Sequence, residues 1–153
     1  MTRIELTLIV RQSFEDVFAF LNLCESHLRF IPRMTKLEQK SAGLFGQVGT
    51  RLSGSLNYFG IRIPVQYEII QHESNRKLAM KGLMGPVLFR DGYVLKENGE
   101  GTEINFWLEL FPTGWARIFS PFMGLIGRVH AWETLRNLKR ELVRRETVSP
   151  ASQ

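Results

Sequence analysis

The chain has 153 residues, of which 44% are hydrophobic and 23% charged, and its formal net charge is +5 at pH 7. This length predicts one domain, and the composition is that of an ordinary globular protein with a substantial core. Much of the basic excess lies near the C-terminus and no nucleic-acid-binding motif accompanies it, so we expect no nucleic-acid partner.

The beginning of the chain predicts one strand followed by two short helices. Apolar residues alternate with other residues over 3–10, which is the pattern of a strand with one buried face. Ser13 is a favourable helix N-cap, and Asp16 stands three residues further on, in the capping-box position. A second short helix from about Glu25 should end before Pro32, because the residue preceding a proline avoids the helical region.

From Met34 to Phe111 the hydrophobic period changes to two, which predicts six strands separated by turns rich in glycine, asparagine and proline. The predicted strands are 34–39, 48–56, 61–69, 77–83, 87–96 and 102–111.

A long helix is predicted from Thr113 to Arg145, because apolar residues recur there at steps of three and four. These residues are Phe122, Leu125, Val129, Trp132, Leu135, Leu138 and Leu142. Their mean step of about 3.3 residues is shorter than the helical period, so the stripe winds around the helix axis. A winding stripe suits a helix that is held by a curved sheet.

The order of these elements predicts an α+β fold with a helix-grip arrangement. A curved antiparallel sheet of about seven strands would wrap around the long C-terminal helix, with two short helices after the first strand. We expect a single domain over 1–146 and a disordered tail over 147–153.

Several segments carry a resemblance to a known superfamily. They are the helix start at 13–21, Val48-Gly49-Thr50, Gly99-Glu100-Gly101-Thr102 and the closing helical segment 134–142. On these the chain resembles the SRPBCC superfamily, the helix-grip proteins that include START lipid-binding domains, birch-pollen-allergen proteins and bacterial polyketide cyclase/dehydrase-type proteins. The resemblance implies an apolar cavity between sheet and long helix that binds a hydrophobic small molecule. It implies no particular catalytic residue, because only some members are enzymes.

The strand at 87–96 offers one polar residue to that cavity. Its more apolar face carries Phe89, Asp91 and Tyr93, which directs Asp91 inward. A buried carboxyl group has a raised pKa and can act as a general acid or a polar anchor. The alternative is that Gly92 marks a bulge, which would place Asp91 outside, beside Arg90.

Aromatic and helical residues complete the predicted site. A tyrosine on an inward strand face brings a hydroxyl group that needs a partner, which favours Tyr67 and Tyr93. The predicted ligand-binding residues are Tyr67, Phe89, Asp91, Tyr93, Phe106, Phe122, Ile126 and Val129. Asp91 and Tyr93 are the only catalytic candidates.

Three functions remain open at this stage. The first is binding of a polyketide-, lipid- or quinone-like molecule in the cavity. The second is a polyketide cyclase or dehydratase that uses an inward carboxylate or tyrosine. The third is a lipid carrier or chaperone at a membrane surface.

The histidines and the single cysteine show no metal-ligand spacing, so we expect neither a metal nor a cofactor. Cys24 and His27 could share a helix face as a thiol–imidazole pair, but a small buried thiol beside a surface histidine is the favoured interpretation. One cysteine excludes an internal disulfide, and the N-terminus carries no signal-peptide pattern. These features predict a cytoplasmic protein.

The start of the long helix is apolar almost all round, with Arg117 and Arg128 beside it. This composition is consistent with an entry gate, a peripheral membrane contact, a buried helix or a homodimer contact. Glu133 either faces inward or forms a surface pair with Arg136 or Asn137; the surface pair is favoured.

Overall fold

The computed structural model describes residues 2–148, with side chains described as far as Arg145. Its elements are β1 Thr2–Val10, α1 Phe14–Leu21, α2 Cys24–Phe30, β2 Met34–Gln39, β3 Arg51–Tyr58, β4 Ile61–Glu73, β5 Lys77–Met84, β6 Val87–Asn98, β7 Gly101–Pro112, a 3-10 segment Gly114–Phe122 and α3 Met123–Val148. The predicted tail begins within this last helix and lies outside the described residues from position 149 onward.

The predicted α+β fold is confirmed. All seven strands form one curved antiparallel sheet in the order β1-β7-β6-β5-β4-β3-β2, and the long C-terminal helix packs on it together with α1 and α2. Within residues 2–148, no helix is both long enough and apolar enough to cross a membrane.

The helix boundaries follow the local sequence signals. The Ser13 hydroxyl accepts a hydrogen bond from the Asp16 backbone N–H at 3.2 Å, which caps α1. Helix α2 ends at Phe30, and Ile31, which precedes Pro32, has extended backbone angles. The long C-terminal helix starts as a 3-10 segment that contains Pro121, and regular α-helix begins only at Met123.

One strand begins later than expected. The sequence predicts 48–56, but β3 runs over Arg51–Tyr58, and Val48 is 64% exposed. Gly46 and Gly49 adopt φ angles of 105° and 95°, which lie in the left-handed region and form a turn where strand was expected.

The inward register of β6 agrees with the alternation in the sequence, since Phe89, Asp91 and Tyr93 are all buried. Gly92 marks no bulge, because pairing with both neighbouring strands is regular through it. A Cβ atom at Gly92 would lie 2.7 Å from Nε1 of Trp107, so glycine is needed because the indole ring rests on this strand.

The buried face of α3 differs from the predicted stripe in its first half. The predicted members Phe122, Leu125, Val129 and Trp132 are 46–66% exposed, whereas Leu135, Leu138 and Leu142 are buried as expected. The residues that face the sheet in the first half are Met123, Gly127 and Ala131.

Small residues decide which face of α3 is buried. A Cβ atom at Gly127 would collide with Cδ1 of Ile4 and would lie 3.0 Å from Cδ1 of Leu110. The helix backbone therefore approaches β1 and β7 closely at this point. The larger apolar side chains of the same segment are left on the opposite face, in contact with solvent.

Candidate functional site

A small cavity lies between the inner face of the sheet and the first half of α3, with a volume of about 40 Å³. Four polar side chains contribute to its wall: Tyr58, Tyr67, Asp91 and His130. The remaining wall is apolar and is formed by Leu56, Met84, Phe89, Leu108, Leu110, Ile126 and Gly127. The strands supply most of this lining, and α3 closes the cavity from above.

Asp91 is the one acidic residue in this wall and is only 8% exposed. Its Oδ1 atom is buried and has no hydrogen-bond partner among the described residues. Burial raises the pKa of the carboxyl group to about 7, and no neighbouring cation offsets that rise. At neutral pH the group therefore exchanges a proton readily, as a general acid or base requires.

Tyr67, on β4, lines the same cavity as this carboxyl group on β6, with β5 between the two strands. Its ring packs edge-on against Phe89 with 5.1 Å between ring centroids, and both residues pair across Gly82. Burial and the negative charge of Asp91 raise the pKa of the Tyr67 phenol well above its ordinary value. The phenol therefore stays protonated and can donate a hydrogen bond into the cavity.

His130 faces the cavity from α3, and the sequence interpretation gave it no role there. Desolvation lowers the pKa of its imidazole from 6.5 to about 4, so the ring is neutral at pH 7. Its position three residues after Gly127 and next to Ala131 was the available signal, because both small residues mark the helix face that packs on the sheet.

Arg33 and Glu133 form a link between the start of β2 and α3 at one side of the cavity. The guanidinium group lies 3.1 Å from Oε2 of Glu133 and stacks over the Tyr58 ring at 5.0 Å. Glu133 therefore forms an ion pair, but not with Arg136 or Asn137 as expected. Arg136 stacks on the Trp132 ring, and the Asn137 amide donates to the backbone oxygen of Phe30.

The predicted ligand-binding residues fall into three groups. Tyr67, Phe89, Asp91 and Ile126 lie together in the cavity wall. Tyr93 and Phe106 are buried in the adjacent core, where their rings lie 5.1 Å apart. Phe122 and Val129 do not line the cavity, because the helix turns them outward, and they are 56% and 46% exposed. The role of all eight in ligand binding stays a prediction.

The second catalytic candidate, Tyr93, is surrounded by aromatic rings. Its ring meets those of Phe30 and His27 edge-on, with centroids 6.1 Å and 6.4 Å away. Burial, followed by the charge of Asp91, raises the pKa of its phenol well above the ordinary value. Tyr93 lies outside the cavity wall, and its catalytic role stays a prediction.

Cys24 and His27 do not form a thiol–imidazole pair. His27 is 1% exposed, so it is a core residue and not the surface histidine expected from the sequence. Its Nε2 lies 2.6 Å from the backbone oxygen of Leu21, and its Nδ1 has no partner among the residues described, while the Cys24 thiol faces the backbone oxygen of Leu37. Burial raises the pKa of the thiol, which makes it a poor nucleophile.

A larger groove of about 750 Å³ lies on the other face of the sheet. Charged side chains that alternate with the buried ones border it, among them Arg51, Glu68, Lys81 and Arg90. These groups are exposed or half-buried, and Lys81 lies 3.8 Å from Glu68. The groove offers no buried, unpartnered polar atom comparable to that of Asp91.

Comparison with known proteins supports the fold. No protein-family model and no curated protein matches the sequence. Among solved structures, the Zhui aromatase/cyclase from Streptomyces sp. R1128 is similar with a TM-score of 0.78 and 13% identity, covering 94% of each chain. Ara h 8.0201 is similar with a TM-score of 0.72 and 12% identity, covering 93% of this chain and 97% of its own.

The di-domain aromatase/cyclase StfQ from the steffimycin biosynthetic pathway is also similar, with a TM-score of 0.77 and 12% identity; the match covers 95% of this chain and 52% of StfQ. These likenesses identify the fold as the helix-grip fold, as the resemblance in the sequence implied. At this level of identity they establish the fold alone.

Proposed function

We propose that the chain binds a hydrophobic small molecule between the sheet and α3, with Asp91 as its polar anchor. The observation that carries this proposal is the buried Oδ1 atom of Asp91, which lies in a mostly apolar wall and has no partner within the part of the chain that the structure describes. An unsatisfied buried polar atom is rare in folded proteins because it costs about 1–3 kcal/mol. A ligand hydroxyl group at this position would remove that penalty.

The cavity as it stands is too small for such a ligand. A volume of about 40 Å³ holds roughly three water molecules. Ligand entry therefore requires the first half of α3 to move away from the sheet. The 3-10 segment that leads into this half is weakly anchored, since Ala116 is its only buried residue. Opening would expose apolar parts of the cavity wall. A ligand that covers them gains about 25 cal/mol of binding free energy per Å² of apolar surface removed from water.

A neutral aromatic alcohol, 2-naphthol, tests the anchor by isothermal titration. We expect Asp91→Asn to weaken binding about tenfold, since a hydrogen bond to a charged group contributes roughly 1.5–3 kcal/mol. Binding to the unmodified protein should strengthen as the pH rises through about 7, where Asp91 ionises. Glu97→Gln, on the exposed part of β6, is the matched control and should bind as the unmodified protein does.

Equal affinity of 2-naphthol for the Asp91→Asn and Glu97→Gln variants would contradict the anchor. Native mass spectrometry of protein purified from its own host would then identify any small molecule that co-purifies and define the ligand class independently of the probe.

A cyclase or dehydratase function is the second candidate, and one observation favours it. Asp91, with a pKa of about 7, and the neutral His130 line the same cavity, so two groups able to move protons face one space. An enzyme of this kind should convert a poly-β-ketone thioester to a cyclised product. Loss of product with Asp91→Asn, but not with Glu97→Gln, would support it, and unchanged substrate would exclude it.

A further inference from the structure

The 3-10 segment and the first ten residues of α3 present a continuous apolar surface to solvent. We call it the apolar face and define it by Trp115, Ile118, Phe122, Leu125, Val129 and Trp132, which are 46–75% exposed. Contiguous exposed apolar areas of this kind are uncommon on monomeric proteins and mark sites of interaction.

The charged residues within the segment that forms the apolar face all have one sign. Positions 113–132 contain Arg117 and Arg128 and no acidic residue, and both arginines are exposed. Arg136 stacks on the Trp132 ring with 4.8 Å to its centroid, which places a third cation at the edge of the face. Tryptophan beside arginine is the composition favoured at the boundary between lipid headgroups and acyl chains.

The same end of the molecule carries a second exposed apolar element. The sheet is antiparallel, so the β3–β4 turn lies at the end where β7 leads into the 3-10 segment. Phe59 in this turn is fully exposed, and Ile61 is 66% exposed. The next residue, Arg62, is also exposed and adds a further cation.

We propose that this end of the protein docks on an anionic phospholipid bilayer through the apolar face. Its aromatic and aliphatic side chains enter the interfacial layer, and Arg117 and Arg128 contact lipid phosphates. A second copy of the chain fits less well, because a two-fold contact between these faces doubles the number of arginines and segment 113–132 supplies no acidic residue to pair with them.

Vesicle co-sedimentation at low ionic strength tests the proposal. The probes are vesicles of phosphatidylcholine alone and vesicles of phosphatidylcholine with phosphatidylserine. We expect sedimentation with the anionic vesicles only, and weaker binding as salt is added. Brominated lipids should quench the fluorescence of Trp115 and Trp132 upon binding.

Two substitutions at equally exposed positions test whether vesicle binding depends on the apolar face or on surface hydrophobicity in general. Ile118 on the face and Leu44 in the β2–β3 loop are both 75% exposed, and the loop lies at the opposite end of the sheet. Ile118→Glu should reduce the bound fraction at least tenfold, whereas Leu44→Glu should bind as the unmodified protein does. Circular dichroism of both variants verifies that they are folded.

Three results would overturn the proposal. The first is no sedimentation with phosphatidylserine vesicles. The second is equal loss of binding in the Ile118→Glu and Leu44→Glu variants. The third is a dimer in light scattering that Ile118→Glu converts to a monomer, because a second copy would then be the occupant of the apolar face. None of these results bears on 2-naphthol binding, so this proposal and the cavity proposal fail separately.

Discussion

The carboxyl group of Asp91 makes a contribution to stability that depends on pH. Its pKa is about 7 in the folded protein, compared with an ordinary value of 3.8. Between these values the folded protein keeps the proton that the unfolded chain loses. Stability therefore falls as the pH rises from about 4 to about 7, by up to roughly 4 kcal/mol from this group.

The substitution Asp91→Asn should remove this loss of stability with rising pH. We expect the variant to gain stability relative to the unmodified protein as the pH rises from about 4 to above 7, where Asp91 is ionised. Urea denaturation across this range measures the difference in the free energy of unfolding. A difference in the free energy of unfolding that stays constant with pH would show that Asp91 ionises as an exposed carboxyl group does. The control is Glu97→Gln, which removes an exposed carboxylate.

Two histidines, His27 in the core and the half-buried His130, act in the opposite direction. Burial lowers the pKa of His27 and of His130 from 6.5 to about 4, so the folded protein holds both rings neutral where the unfolded chain takes up protons. Their contribution to the free energy of unfolding is present above about pH 6.5 and is lost as the pH falls towards 4. The effect of Asp91 is therefore seen best as a difference between variants, because the histidines cancel from it.

Gly82 determines how closely two rings of the cavity wall meet. An added Cβ atom would lie 2.7 Å from Cζ of Phe89 and would also collide with the backbone oxygen of Gln66. We expect Gly82→Ala to lower the free energy of unfolding by about 1–3 kcal/mol. Gly99→Ala, in the open β6–β7 turn, should change it by less than about 0.5 kcal/mol. Equal effects in thermal denaturation would contradict the assigned packing.

At the level of the element, α3 is held differently in its two halves. In the second half, Leu135, Leu138 and Leu142 are buried, and Asn137 is hydrogen-bonded to α2. In the first half the contact with the sheet depends on small residues, chiefly Gly127. The first half is therefore held by fewer large buried side chains, and it is the part that the cavity proposal requires to separate from the sheet.

Two glycines in this first half should respond differently to alanine. Both replacements gain up to about 1 kcal/mol of helix propensity. Gly124→Ala meets only Cγ2 of Thr2, at 4.0 Å, and should be stabilising. The added methyl group of Gly127→Ala would collide with Ile4 and Leu110, which should cancel the gain in helix propensity. This variant should therefore melt at a lower temperature than Gly124→Ala. The reverse order would mean that α3 lies further from the sheet.

The sequence predicted the elements better than it predicted the faces of α3. The order of elements and the inward position of Asp91 follow from alternation and capping, which are local signals. The predicted stripe of Phe122, Leu125, Val129 and Trp132 turned outward instead. This segment is apolar on both faces, so periodicity cannot choose between them, and the choice depends on the size of Gly127 and Ala131 against the sheet.

In the candidate site, too, the sequence predicted the positions of strand residues better than those of residues on α3. Tyr67, Phe89 and Asp91 could be assigned to one inner face, because strands alternate strictly. His130 could not be assigned, because its position depends on the rotation of α3 about its own axis. Arg33 could not be paired with Glu133 either, since they are 100 residues apart in the chain.

For the whole molecule, the two surfaces of the sheet have different chemistry. The outer surface carries a row of paired charges across the strands, in which Arg51 is opposite Glu68 and Arg90 is opposite Glu109. The inner surface is apolar apart from the few polar groups of the cavity wall. Apolar surface that is not covered by the sheet is concentrated at the end that carries the 3-10 segment and Phe59.

Strand β1 is bonded within the sheet only to β7, as far as the described residues show, and its inner side is covered by α3. Thr2 pairs with Leu110, which is synthesised more than a hundred residues later. During synthesis the seven-stranded sheet therefore cannot be completed before β7 has been made, and its apolar inner side cannot be covered by α3 before that helix follows. Because the contacts of β1 join residues so far apart in the chain, we expect this strand to pack late and the apolar inner side of the sheet to be accessible to chaperones during synthesis.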